Sequence, residues 1–138
     1  MILDIHPDSP VPIYEQIVAQ VTFAVAAGDL EAGAMIPSVR DMAQQLLVNP
    51  NTVARAFQDL EGLGVVTARR GRGMEVTTDA PQKCQARRQD IIRGRIREAL
   101  REAHSSALPA EDIRQLVEEE LARVNGHRRS SPKRGRDL

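Results

Sequence analysis

Cysteine is nearly missing from this 138-residue chain: Cys84 stands alone, which excludes an internal disulfide and a cysteine-based zinc site and suits a reducing cytosol. The thiol itself reads as either inert or redox-sensing. Aromatic side chains are almost as scarce, with two phenylalanines, one tyrosine and no tryptophan. That leaves no platform for stacking single-stranded bases and no aromatic cage for a ligand. No apolar run approaches the roughly 20 residues that a membrane span needs. Near the start, Asp4, His6 and Pro7 break the basic-then-apolar order of a secretion signal. The expected location is the cytoplasm. Net charge is missing too, because 19 Lys and Arg balance 19 Asp and Glu.

That balance hides an asymmetry. Residues 1–80 carry five arginines and no lysine against ten carboxylates, a net of −5, whereas residues 81–138 carry fourteen cations against nine anions, a net of +5. All five early arginines, at positions 40, 55, 69, 70 and 72, lie beyond residue 39, while Asp4, Asp8, Glu15, Asp29 and Glu31 lie before it. A basic field is therefore local, not global.

The arginine-bearing stretch is densely punctuated. In VNPNTVARAFQDLEGLG, Asn49 can cap a helix and Pro50 suits its first position. Val53, Ala56, Phe57, Leu60 and Leu63 recur at steps of three and four, and Gly64 ends the run. The opposite face shows Asn51, Thr52, Ala54, Arg55 and Gln58, groups that suit base edges and phosphates and equally suit a solvated helix face. Just upstream, Ser38 caps a second short helix whose stripe is Val39, Met42, Ala43 and Leu46. Only Leu47 and Val48 separate the two, so the spacing predicts a helix-turn-helix. Val65-Val66-Thr67 and Met74-Glu75-Val76-Thr77 flank Arg70, Gly71, Arg72 and Gly73, which predicts a hairpin with a basic, glycine-containing tip. A further helix, opened by Pro12 and closed by Gly28, carries Ile13, Ile17, Val21 and Val25, and Ala34-Met35-Ile36 can add a short strand beside the hairpin.

The segment PSVRDMAQQLLVNPNTVARAFQDLEGLGVVTARRGRGMEV resembles the DNA-binding domain of the GntR family of bacterial transcription regulators, whose pattern runs P-S-x-R, L-A, V-N-x-N-T-V-x-R-A, L-E-x-x-G and G-x-G. The likeness covers about residues 10–78. Met42, Phe57 and Met74 depart from the usual leucine, tyrosine and phenylalanine-like residues, and none of these removes a DNA-facing group. The resemblance implies a winged helix-turn-helix that binds double-stranded operator DNA. On that reading Asn49, Asn51, Thr52 and Arg55 enter the major groove, Arg40 reads a guanine and Ser38 holds a phosphate. Arg70, Gly71 and Arg72 form the wing tip, next to the minor groove.

Composition shifts at Thr78-Asp79-Ala80. Beyond it two amphipathic helices are expected, one from about Gln82 to Ala103 bearing Ile92, Ile96 and Leu100, the other bearing Ile113, Val117, Leu121 and Val124 after a turn at Ser105 to Pro109. Two such helices cannot bury both stripes in a hairpin of their own. A short two-helix appendage resembles that of the YtrA subfamily, which implies a homodimer, two-fold related half-sites, and a repressor of its own operon, often one that encodes an ABC transporter. The expected class is thus mainly α with a small β wing: a winged helix-turn-helix over residues 1–78, a two-helix dimerisation domain over 79–126, and a basic disordered tail over 127–138. The tail reads as solvated or as a phosphate contact.

Catalysis is not expected. His6, His104 and His127 show no ligand spacing, no nucleophile pairs with a base, and Gly71 and Gly73 are not followed by the Lys-Ser/Thr of a phosphate loop. No metal, cofactor or membrane partner is expected, and the sequence does not identify a small-molecule effector. The alternative is a winged helix serving as a DNA-binding or protein-interaction module without effector-controlled regulation.

Overall fold

The computed structural model describes residues 3–130, with side chains described through Gly126. In chain order the elements are α1 (Ile13–Ala27), β1 (Met35–Ile36), α2 (Val39–Leu46), α3 (Pro50–Gly62), β2 (Val66–Arg69), β3 (Gly73–Val76), α4 (Ala80–Ser105) and α5 (Ala110–Ser130). The described chain is mainly helical with one antiparallel sheet ordered β1-β3-β2, the class expected from sequence. It divides into two units between Arg93 and Gly94. No helix among the described residues is long and apolar enough to cross a membrane.

In the first unit each helix of the three-helix head stops for a local reason. After α1, Gly28 turns left-handed at φ 88°, its N–H reaches the Val25 carbonyl and the Asp29 N–H reaches the Ala24 carbonyl. Two orphan carbonyls are satisfied at once. The same pair of bonds closes α3, from Gly64 to Glu61 and from Val65 to Leu60, with Gly64 at φ 77°. α2 closes this way too, from Leu47 to Gln44 and from Val48 to Ala43, but with Leu47, not glycine, at φ 55°.

One face of every head element meets in a single core. Ile17, Val21 and Val25 of α1 pack with Met42 and Ala43 of α2 and with Val53, Ala56, Phe57 and Leu60 of α3. Val65, Val66 and Val76 bring in the base of the wing. The Thr77 hydroxyl donates to the Gly64 carbonyl at 2.6 Å, tying the end of β3 to the turn after α3. Register in the wing is set by Val66 opposite Val76 and Arg69 opposite Gly73, and β1 pairs Met35 with Glu75 and Ile36 with Met74.

Two features of this unit are not visible in periodicity. Residues before α1 are held by two glutamines one helical turn apart. The Gln16 carboxamide accepts from the His6 N–H and donates to the His6 and Val11 carbonyls, and Gln20 makes a similar exchange with Asp4. A buried amide is thereby satisfied on both ends. At the other end, α4 starts at Ala80, two residues before the expected Gln82, and Ala80 and Cys84 are wholly buried in the head's core. Residues assigned from composition to the second part thus complete the first, because the shift to polar composition is carried by their exposed neighbours Gln82, Lys83 and Gln85. Burial pushes the Cys84 thiol above its ordinary range despite the nearby Arg87 and Lys83 cations. Out of water among Ala80 and the head's aliphatic residues, this thiol packs as a core group.

In the second unit, the rest of α4 and α5 are joined by a turn in which Ala107 sits at φ 67°. Arg101–Glu98, Arg114–Glu111 and Arg123–Glu120 pair along their own helices at 2.9–3.3 Å. The apolar stripes stay uncovered: Ile96 is 54% exposed and Leu121 53%. α5 continues to Ser130, through residues 127–130 that composition had placed in a disordered tail. Arginine is a good helix former and no proline intervenes before Pro132, so a single glycine at 126 does not stop the helix. Residues 131–138 of that tail lie outside the described residues.

Leu47 offers a direct test of the turn. Its side chain is 92% exposed, so Leu47→Gly gives up almost no packing while removing the Cβ clash of the left-handed conformation. Urea denaturation should show the variant more stable by about 0.5–1 kcal/mol. A loss of stability would show that the turn is not strained.

Candidate nucleic-acid interface

The candidate interface begins at the start of α2. The Ser38 hydroxyl oxygen accepts the Asp41 N–H at 3.1 Å, so the side chain is fixed as a cap while its own O–H remains available to donate outward. Arg40 follows in the first turn, exposed. After the Leu47-Val48 turn, Asn49 Oδ1 accepts the Asn51 N–H at 2.8 Å and Pro50 opens α3. The Asn49 amide retains two N–H donors. Asn51, Thr52 and Arg55 then rise on the side of α3 opposite its buried stripe, with Thr52 half-buried and the other two exposed. Because α2 and α3 pack directly on each other, the chain presents Ser38, Arg40 and the first half of α3 as neighbouring parts of one head.

Arg55 has a partner that spacing does not reveal. Its guanidinium carbon lies 3.7 Å from the centroid of the Tyr14 ring, in the first turn of α1. Tyr14 lies beside the Ile13, Ile17, Val21 and Val25 stripe of α1, and nothing in the pattern of either helix links the two.

The wing sorts its three arginines. Arg69 Nε donates to the Glu75 carboxylate at 2.6 Å across the hairpin, so its charge is balanced within the wing. Arg70 and Arg72 form no ion pair among the described residues and stand exposed at the tip with Gly71 between them. The tip is a three-residue connection in which the Arg72 N–H meets the Arg69 carbonyl at 2.9 Å and Gly71 takes φ 73°. A glycine there allows the turn to reverse without strain and leaves the backbone bare for a close approach.

The expected dimer residues are placed differently. Ile92 belongs to the first unit, and Ile96, Leu100, Ile113, Val117, Leu121 and Val124 to the second. All are exposed except half-buried Ile113. An open groove of about 650 Å³ gathers Leu100, Ile113 and Val117 with Glu111, Arg114, Gln115 and Glu118. Among the described residues no cluster of His, Cys, Asp and Glu is placed to hold a metal ion.

Comparison with known proteins follows the same outline. The family described as bacterial regulatory proteins, gntR family, matches residues 13–76, the span from the start of α1 to the end of β3. The chain is similar to the HTH-type transcriptional repressor YtrA of Bacillus subtilis (strain 168), at 30% identity over 128 residues, 93% of this chain and 98% of that protein. Among solved structures, a GntR family transcriptional regulator from Listeria monocytogenes matches with a TM-score of 0.66 at 31% identity, covering 81% of this chain and 97% of that one. YtrA from Sulfolobus acidocaldarius, a GntR-family transcription factor, matches with a TM-score of 0.56 at 31% identity, covering 72% and 98%.

Two sets of substitutions test the arginines against duplex DNA. Arg40→Ala should cost about 1–3 kcal/mol of specific affinity and relax preference at one base position, read by titrating single-base variants of a bound site. In the wing, Arg70→Ala with Arg72→Ala should lower the log–log salt slope by about 0.9 for each phosphate that is no longer neutralised. Arg69→Ala should leave the slope unchanged, because Glu75 already balances that charge. An equal fall in slope from Arg69→Ala would remove the distinction.

Proposed function

This chain belongs to the GntR family of bacterial regulatory proteins, within its YtrA subfamily, and we propose that it acts as a homodimeric repressor of its own operon, an operon of the kind that often encodes an ABC transporter. The observation that carries the DNA-binding reading is the orientation of α3: Val53, Ala56, Phe57 and Leu60 are sealed in the core, so Asn51, Thr52 and Arg55 face outward on a helix that cannot rotate. Such a face offers amide, hydroxyl and guanidinium groups to base edges and phosphates in a major groove. Ser38 and Arg40 act from the start of α2, and Arg70, Gly71 and Arg72 lie along the adjacent minor groove. Footprinting on DNA upstream of the chain's gene tests this. Protection of two half-sites related by two-fold symmetry is the expected result, and no protection there would overturn autoregulation.

Dimerisation supplies what one head lacks. With a net charge of −5 over residues 1–80, a single head has weak non-specific attraction to DNA, since that attraction comes from neutralised phosphates. The uncovered residues of α4 and α5 support a second copy as their cover, because contiguous apolar surface of this kind marks association sites. The groove around Leu100, Ile113 and Val117 is part of the same surface. Joining two heads makes the second half-site contact intramolecular.

Ile96→Asp with Leu121→Asp should give monomers in sedimentation, because unpaired carboxylates are costly to bury. The heads should keep their melting transition, since neither residue belongs to the head's core. Affinity for the two-half-site operator should fall by about 10²–10⁴. A variant that stays dimeric, or a monomer that binds as tightly as the parent, would refute the role of these helices.

A further inference from the structure

Tyr14 is the chain's single tyrosine, half-buried in the first turn of α1. Arg55 is exposed on α3 and has the usual helical ion-pair candidate in reach, because Asp59 stands four residues on. No such pair forms among the described residues. The guanidinium instead lies close enough over the tyrosine ring to bring its central carbon to 3.7 Å from the centroid. A cation over the face of an aromatic ring is attracted by the ring's quadrupole. The stack occupies one face of the guanidinium and leaves its in-plane N–H donors available.

Position decides what those donors meet. Since α1 packs against α3, a side chain drawn toward the first turn of α1 is drawn to the flank of α3. In a helix lying in a major groove, the flanks face the sugar-phosphate walls and the exposed centre faces the base edges. We propose that Tyr14 is a positioning residue for DNA binding, which holds Arg55 in advance as a clamp on a backbone phosphate and away from the bases. This rests on the reading of α3 as the DNA-facing helix. An unstacked arginine would lose side-chain freedom on reaching the phosphate, whereas the stacked one has already lost it, so the ring raises affinity without touching the DNA.

A double-mutant cycle on the full chain tests this, with a duplex enriched by the parent protein from a randomised pool as the probe. Arg55→Ala should weaken binding and lower the log–log salt slope by about 0.9, without changing the preferred bases. Tyr14→Leu should weaken binding about two- to tenfold in the parent and have no further effect in the Arg55→Ala background. Tyr14→Phe, which keeps the ring and loses the hydroxyl, should stay within about twofold of the parent. An equal loss from Tyr14→Leu in both backgrounds would reduce the tyrosine to a packing residue and overturn the proposal while leaving Arg55 as a DNA-binding group. A change of base preference in Arg55→Ala would make the arginine a base reader and overturn the phosphate assignment. Unchanged affinity and slope in Arg55→Ala would remove Arg55 from the interface and the proposal with it. Failure of the parent to enrich any duplex would defeat the DNA-binding reading itself.

Discussion

The packing of α3 against α1 is the contact on which the rest of the head depends. Val53, Ala56 and Leu60 have no solvent exposure at all, and a core at native packing density gives a helix no room to turn about its axis. Rotation of α3 by even one residue would place Ala54 or Arg55 against Ile17 and Val21. The cost of burying an unpaired guanidinium forbids it. The same seal orients α2, which reaches α3 through a two-residue turn, and anchors the wing, whose Val65 and Val66 follow within a few residues of Leu60. A hydroxyl bond from Thr77 to the Gly64 carbonyl then holds the two ends of the hairpin to the end of the helix.

Electrostatics in this head is a matter of placement. Residues 1–80 are net acidic, yet the described surface that offers Ser38, Arg40, Asn51, Arg55, Arg70 and Arg72 carries its cations on three short segments. Screening confines each charge to about 8–10 Å under ordinary salt, so the net charge summed over the head says little about the field at any one cation. Pairing matters more than proximity. Glu75 balances Arg69, while the ring of Tyr14 engages Arg55 without neutralising it.

The two units solve the burial of apolar surface differently. In the first, every element from α1 to the start of α4 contributes to one core, and even Cys84 is enclosed. In the second, charges pair along each helix and the branched aliphatic residues remain at the surface. A two-helix unit has too little chain to enclose both stripes, so the element that lacks a core of its own is the one suited to association.

The starts and stops of the first three helices, the helix-turn-helix spacing, the wing and the α3 stripe were legible in the sequence, because caps, left-handed glycines and apolar repeats act within about four residues of one another. Asn49, Pro50, Gly28 and Gly64 did what their types dictate, and even the exposed face of α3 followed from its buried one. Only the tertiary structure decided that Arg69 is spent on Glu75 while Arg70 and Arg72 are not, that Tyr14 lies under Arg55, that Gln16 and Gln20 hold the segment before α1, and that Ala80 and Cys84 close the head's core. Each of these joins groups from separate segments or from opposite sides of a hairpin, so no local period records it. Which polar group finds a partner depends on how close two backbones are brought by the apolar contacts beneath them, and that distance exists only once the core has formed.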